Sequence, residues 1–156
     1  MIAISNTSPL IVLAKSSYLK ILQKIFKYVI IPDAVFNEIF RKEDTATRKI
    51  RDLINFGFIQ TEKVKNKELV DFINTDIGLC EAEAIVLSLQ LNSEYILLDD
   101  YKARIYAEER SLNVIGTLGL IKILKDCNFI GEDNETIYKR LVSANFWIKK
   151  TCFLRL

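Results

Sequence analysis

Carboxylate and amide side chains recur in this sequence where apolar runs end and where an apolar helical pattern begins. The residues concerned are Asn6, Glu38, Glu81, Glu83, Asp99 and Asp100. In an open α/β sheet, ligands bind at the carboxyl ends of the strands, so groups at these positions are expected to converge. An all-oxygen set of this kind suits Mg²⁺ or Mn²⁺. The pattern therefore predicts a metal site suited to phosphodiester chemistry.

Each of these groups also has a purely structural explanation. Asn6 could belong to a helix-capping segment, Asp99 and Asp100 could cap a helix starting near residue 101, and the paired glutamates could complement a helix dipole. Glu38 could be a solvated residue on a helix flank. Their common placement at strand ends and helix starts favours the site, and within the aspartate pair we favour Asp99 as the ligand.

The absence of histidine excludes several catalytic classes. Ser-His-Asp and Cys-His nucleophilic catalysis and H-E-x-x-H zinc sites all require it. The glycine pattern contains neither a P-loop nor a dinucleotide-binding fingerprint, so nucleotide cofactors are not expected. Cys80, Cys127 and Cys152 are far apart and odd in number, which indicates reduced cytoplasmic thiols rather than a disulfide framework or a zinc site.

The length and composition indicate one globular domain over residues 1–156. No apolar stretch approaches the roughly 18 residues that a membrane span requires. The net charge of +2 neither identifies a nucleic-acid binder nor excludes one, because a local basic rim is sufficient for binding.

Short apolar runs alternate with helical patterns, which predicts a mainly parallel α/β sheet covered on both faces. The predicted strands are residues 2–5, 28–31, 58–62, 95–98 and 113–115. After the first strand, Ser8 is predicted to be an N-cap, with Pro9 at the first helical position. Further helices are predicted over residues 18–26, from Pro32, after residue 78, and near residues 120–124 and 137–144. The charged segment 41–51 is expected to be helical or mobile.

Five segments of the sequence, taken in order, resemble the PIN-domain family. They are residues 5–11 (SNTSPLI), 31–38 (IPDAVFNE), 78–85 (GLCEAEAI), 97–100 (LLDD) and 114–119 (VIGTLG). Each segment alone is unspecific, but their order and spacing are fairly specific and extend from residue 2 to residue 147. In particular, the chain resembles small stand-alone prokaryotic PIN-like proteins.

The resemblance implies a three-layer α/β/α fold and a Mg²⁺- or Mn²⁺-dependent ribonuclease, often the toxin of a toxin–antitoxin pair. It also assigns site residues. The first acid falls on Asn6, the second on Glu38, the third on Glu81 or Glu83, the fourth on Asp99 or Asp100, and the hydroxyl on Thr7 or Ser8. In the implied reaction, the ions polarise the phosphate and lower the pKa of a bound water.

Two positions depart from the family pattern. Asn6 stands where an aspartate is usual, so a neutral amide oxygen replaces an anion. Glu81 stands where the family usually has aspartate and reaches one methylene further. The loss of the anion at residue 6 is expected to weaken metal binding, so the alternative is a catalytically weak or inactive PIN-like module that binds RNA or a protein. A receiver-type phosphoacceptor domain fits poorly, because its paired acids follow the first strand.

Single-stranded RNA is the expected substrate, because its backbone can enter a cleft. Candidate phosphate contacts are Arg41, Lys42, Arg48, Lys49 and Arg51, although these residues could equally form a solvated helix face. Apolar residues near the C-terminus predict a homodimer through an exposed patch. They are Phe129, Phe146, Trp147, Phe153 and Leu154. The resemblance adds a small antitoxin as a partner.

Overall fold

The centre of the fold is a five-stranded sheet in which every neighbouring pair of strands is parallel. The computed structural model describes residues 1–153, except for the side chain of Cys152. The strands are β1 (Ile2–Ser5), β2 (Tyr28–Pro32), β3 (Ile59–Glu62), β4 (Tyr95–Leu97) and β5 (Val114–Ile115), and their order in the sheet is β3-β2-β1-β4-β5. The predicted parallel sheet is confirmed, and each predicted strand end agrees within one residue.

Helices cover the sheet and connect its strands. They are α1 (Thr7–Lys15), α2 (Asp33–Ile39), α3 (Thr45–Asn55), α4 (Lys67–Ile77), α5 (Leu79–Leu91), α6 (Tyr101–Glu108), α7 (Thr117–Asp126), α8 (Asn134–Ser143) and α9 (Lys150–Phe153). The segment Leu19–Lys24 is a 3₁₀ helix, where an α-helix was predicted. Among the described residues, no helix combines the length and apolar character needed to cross a membrane.

Alternation along the strands divides the apolar core between the two faces of the sheet. Ala3 and Leu97 pack on one face with side chains of α1, α2, α3, α7 and α8. Ile4 and Ile96 pack on the other face with side chains of α4, α5 and α6. All four strand residues are fully buried. These layers form the three-layer α/β/α fold that the resemblance implied.

The first helix begins earlier than predicted. Thr7 is its first residue and Asn6 its N-cap, so the predictions of Ser8 as N-cap and Pro9 as first helical residue are wrong. Pro9 is tolerated because it still lies in the first turn, where a backbone N–H has no partner within the helix. The Asn6 side chain makes no capping hydrogen bond, which leaves its amide available for contacts at the strand end.

The apolar patch predicted to form a dimer interface is partly covered within the chain. Phe153 is only 2% exposed and its ring packs 5.8 Å from that of Tyr138, while Phe146 is half-buried against the core. Phe129 and Trp147 remain exposed, and Leu154 lies outside the described residues. The expectation that Phe146 and Phe153 belong to an exposed patch is therefore wrong, and self-association stays a prediction.

Candidate functional site

The segment that follows the central strand β1 contacts two of the predicted acids through consecutive side chains. The Asn6 amide nitrogen donates to Glu81 Oε1 at 2.9 Å, and the Thr7 hydroxyl donates to Glu38. Glu81 is the third residue of α5, and Glu38 lies in the last turn of α2. Because β1 lies between β2 and β4, its carboxyl end can contact both α2, which follows β2, and the start of α5, the helix that leads into β4. The structure thus brings three of the predicted groups together at this edge of the sheet.

The Asn6 side chain is buried and only half satisfied. The residue is 2% exposed, and its backbone N–H donates to the carbonyl of Leu97 at 3.1 Å. Because the amide nitrogen donates to a carboxylate, the other amide atom must be the acceptor Oδ1. That oxygen is buried without a hydrogen-bond partner among the described residues. A buried acceptor in this state costs about 1–3 kcal/mol unless a ligand satisfies it.

Asp99 is linked to the same segment through Ser8. Its Oδ2 accepts hydrogen bonds from the Ser8 hydroxyl at 3.1 Å and from the Thr117 hydroxyl at 2.7 Å, and its Oδ1 accepts from the Thr117 backbone N–H at 2.7 Å. Thr117 is the first residue of α7, so the carboxylate also lies at the positive end of that helix. A Cβ on Gly116 would lie 2.8 Å from a nitrogen of Arg104 and 3.3 Å from Asp99 Oδ1, which explains the glycine here.

The second acid of each predicted pair has another task. Both oxygens of Glu83 are engaged: one accepts from the Ala34 backbone N–H at 2.9 Å and the other from the Lys67 ammonium at 3.0 Å. Glu83 is 5% exposed, so this contact fixes the start of α2 from inside the protein. Asp100 is the N-cap of α6, where its side chain accepts from the Ala103 backbone N–H at 2.9 Å. The geometry therefore directs Glu81 and Asp99 toward the Asn6 segment.

A cavity of about 360 Å³ opens over this segment. Its lining residues are Asn6, Thr7, Ser8, Ile11, Val12, Lys15, Glu38, Glu81, Ala144 and Asn145. Asp99 is not among them and reaches the cavity only through Ser8. We call this cavity the central cleft.

Lys15 is a cation of the central cleft that sequence reasoning missed. The signal was present, because Thr7, Ile11 and Lys15 follow each other at four-residue spacing on α1 and so share one helix face. Of the predicted phosphate contacts, Arg41 and Lys42 line a neighbouring cavity that also includes Glu38. These three cations surround the acidic groups on the Glu38 side.

Two other predicted phosphate contacts are used within the fold. The Lys49 ammonium donates to the carbonyl of Ala14 at 2.9 Å, near the C-terminal end of α1. Arg51 pairs with Glu43 and lies 4.9 Å from the centre of the Phe40 ring. Arg48 is exposed on α3. Arg41 and Lys42 are therefore the predicted phosphate contacts that lie in the same cavity as Glu38.

Cys80 lies between the Glu38 and Glu81 positions and lines the cavity next to the central cleft. Burial raises the pKa of its thiol to about 12, and a hydrogen bond with Glu38 adds to the effect. The thiol therefore stays protonated at neutral pH. A protonated thiol is a poor nucleophile.

The residues of the central cleft fit a divalent cation, but they supply only some of the ligands that it needs. Among residues 1–153 as described, no three Asp, Glu, His or Cys side chains are grouped closely enough to hold a metal ion. Asn6, whose side-chain oxygen has no partner, nevertheless lines the central cleft together with Glu38 and Glu81. Mg²⁺ is commonly held by one or two carboxylates, with water and substrate phosphates as its other ligands. These residues therefore suit a weakly bound ion whose remaining ligands are water and substrate phosphates.

Comparison with known proteins gives one positive result. The sequence profile of a family described as the PIN domain matches residues 2–156. The match includes all five strands and every residue that lines the central cleft. No curated protein matches the sequence.

Proposed function

The chain belongs to the PIN-domain family, whose fold is of nuclease type and whose members generally use divalent metals, and on this premise we propose that it is a ribonuclease. The proposed reaction is Mg²⁺- or Mn²⁺-dependent hydrolysis of phosphodiester bonds in single-stranded RNA. The proposed site consists of Asn6, Glu38 and Glu81, with Asp99 contributing through Ser8.

The observation that carries this proposal is the buried, unpartnered Oδ1 of Asn6. The amide is fixed by its bond to Glu81, and the carboxylate of Glu38 lines the same cleft. A hard cation would satisfy the amide oxygen and reduce the repulsion between the two carboxylates. No other arrangement of polar groups in the described part of the chain combines these features.

Each residue of the cleft has a defined part in the proposed reaction. A divalent ion, when bound, would polarise a phosphate and make a water molecule more acidic. Glu38 and Glu81 supply the negative charge that holds it, and Asn6 supplies a neutral ligand. Thr7 and Ser8 line the cleft, and their hydroxyls can orient water or a phosphate oxygen there.

The cations of the rim would hold the RNA backbone. Lys15 lines the central cleft, and Arg41 and Lys42 extend the positive surface past Glu38. Contacts of this kind bind phosphates without regard to base sequence. Asp99 has a different task, because its hydrogen bonds hold Ser8 and the first residue of α7 in place.

A cleavage assay on single-stranded RNA tests the proposal. We expect weak Mn²⁺-dependent cleavage that EDTA abolishes, and we expect Glu81→Gln and Glu38→Gln each to remove it. Glu62→Gln is the matched control, because Glu62 is an exposed carboxylate that ends the edge strand β3. Cleavage that continues in EDTA, or that survives Glu81→Gln, would contradict the proposed site.

The second candidate is a PIN-like module that binds RNA or protein without cleaving it. It is favoured by the amide at the first acidic position and by the lack of a three-carboxylate group in the described residues. In that case RNA binding would persist in EDTA and no cleavage would follow the addition of Mn²⁺.

The biological setting is proposed from the family resemblance. We propose a cytoplasmic protein that forms a homodimer and acts as a toxin with a small antitoxin as its partner. A small DNA-binding protein encoded beside this chain would support the pairing, and its absence would leave the pairing unsupported.

A further inference from the structure

Trp147 is the most exposed of the large apolar side chains in the described residues, at 86%. It lies in segment 146–149, which is neither helix nor strand and leads from the end of α8 to α9. The chain contains no second tryptophan. An exposed ring of this size lacks the favourable free energy that burial of its apolar surface would give, so its exposure indicates a role other than packing.

The fold itself turns this ring outward. Burial alternates along the segment, and both neighbours of Trp147 face the protein: Phe146 and Ile148 pack against the core. The segment is also anchored on each side. The Phe146 N–H donates to the carbonyl of Leu141 at 3.0 Å, and the Phe153 N–H donates to that of Lys149 at 3.2 Å. The indole is therefore presented from a fixed backbone.

This fixed segment begins at the edge of the central cleft. Ala144 and Asn145 line the cleft together with Glu38 and Glu81. Two residues of chain span at most about 7 Å, so the backbone at Trp147 lies within one side-chain length of the cleft's rim. A strand of RNA whose phosphates lie over Lys15 would thus pass beside the ring.

The surroundings of Trp147 distinguish a nucleic-acid contact from a protein interface. Among the described residues next to Trp147 along the chain, the exposed ones are Asn145, Lys149 and Lys150; all three are polar or cationic, and the Lys150 ammonium also pairs with Glu135 at 2.8 Å. An interface core would instead place further apolar side chains next to the ring. An isolated aromatic face flanked by cations is how proteins hold the bases of single-stranded nucleic acids.

We propose that Trp147 stacks on a base of single-stranded RNA whose backbone occupies the central cleft, with Asn145 beside it at the rim. The inference rests on the proposed function for the identity of the ligand. It goes beyond that function by naming the residue that would bind a base rather than a phosphate. Stacking of this kind tolerates any base, because every base has a π-face.

Tryptophan fluorescence provides a direct readout, since all indole emission of this protein comes from Trp147. Short oligo(A) is titrated into the full chain in EDTA at low salt, so that no RNA is cleaved. We expect quenching that saturates with the binding curve obtained from the anisotropy of labelled oligo(A). Inorganic polyphosphate is the control ligand, because it has charge but no bases and should leave the emission unchanged.

Variants complete the test. We expect Trp147→Ala to lower the affinity for oligo(A) by roughly 5- to 150-fold, which corresponds to the ~1–3 kcal/mol of one base–aromatic stack. Trp147→Phe should recover part of the loss. Phe56→Ala is the matched control: Phe56 is 77% exposed but borders a different cavity, with Lys20 and Asp52, so its loss should not change affinity. Both tryptophan substitutions are on the surface and should leave the fold intact.

The outcomes separate this inference from the proposed function. Quenching and a loss of affinity in Trp147→Ala, without cleavage under any metal condition, would support the stacking site and contradict the ribonuclease. Cleavage with no quenching, or with Trp147→Ala binding like the wild type, would overturn the stacking site. A blue shift of emission on raising the protein concentration without RNA would also overturn it, because the ring would then be covered by a second copy.

Discussion

Glu83 and Glu81 lie two residues apart on α5, and the structure predicts opposite consequences for their replacement. Glu83→Ala removes a charged hydrogen bond to the N–H of Ala34, which is worth about 1.5–3 kcal/mol. It also removes the pair with Lys67, worth at most ~1 kcal/mol because the lysine side chain is 59% exposed.

Relief of the buried charge offsets part of this loss. We therefore expect Glu83→Ala to lower the free energy of unfolding by about 1–3 kcal/mol. For a domain of this size, that change lowers Tm by about 2–12 °C. Glu83→Gln keeps an acceptor for Ala34 and should cost less than Glu83→Ala.

Glu81→Gln is the companion variant. Glu81 accepts one hydrogen bond from Asn6, which a glutamine oxygen can still accept, so its unfolding free energy should change by less than ~1 kcal/mol. The assay is thermal unfolding in EDTA, followed by calorimetric titration with Mn²⁺. We expect Glu83→Gln to bind Mn²⁺ like the wild type and Glu81→Gln to lose binding. Equal stability of Glu83→Ala and wild type in EDTA would refute the structural assignment, and Mn²⁺ binding by Glu81→Gln would refute the ligand assignment.

Three further predictions concern other parts of the molecule. Asp99→Asn should abolish cleavage and lower stability, because it weakens the hydrogen bonds to Ser8 and Thr117; activity like that of the wild type would remove Asp99 from the account. Burial, and after it the hydrogen bond with Glu132, raises the pKa of Tyr18 above its value in the unfolded chain. The free energy of unfolding should therefore keep this contribution below pH ~10, the pKa of an unfolded tyrosine, and fall at higher pH by up to ~1.4 kcal/mol per pH unit. Chemical denaturation at rising pH should show a smaller fall for Tyr18→Phe, with Tyr101→Phe as the exposed control. Light scattering should give twice the 18.0 kDa mass of one chain, and a monomer at micromolar concentration would refute the dimer.

The strands could be predicted from sequence because their information is local. Each is a short apolar run bounded by polar or helix-starting residues, and together with the helical patterns these runs indicate a parallel sheet. The start of α1 could not be predicted in the same way. Asparagine is a preferred N-cap residue, but the Asn6 side chain instead donates to Glu81, which lies 75 positions further along the chain. Such details depend on contacts between residues that are distant in sequence and meet only in the folded protein.

The site shows the same division between local and distant information. That Glu38, Glu81 and Asp99 lie near one sheet edge follows from their positions after strands and at helix starts. Which acid of each pair faces Asn6 depends on Ala34, Lys67 and Thr117, whose positions only the packing of helices determines. Sequence alone therefore favours Asp99 but leaves the choice between Glu81 and Glu83 open, and in the structure the two glutamates differ in their hydrogen-bond partners.

We propose that Asn6 occupies a metal-ligand position at which a neutral amide replaces the aspartate usual in the family. Comparing Mn²⁺ binding by the wild type and by Asn6→Asp tests this directly. Without metal, an aspartate here would face Glu81, so we expect Asn6→Asp to be less stable than the wild type in EDTA. With metal, the added charge should tighten Mn²⁺ binding in calorimetry and give a larger rise in Tm at the same Mn²⁺ concentration. Equal or weaker Mn²⁺ binding by Asn6→Asp would contradict the account.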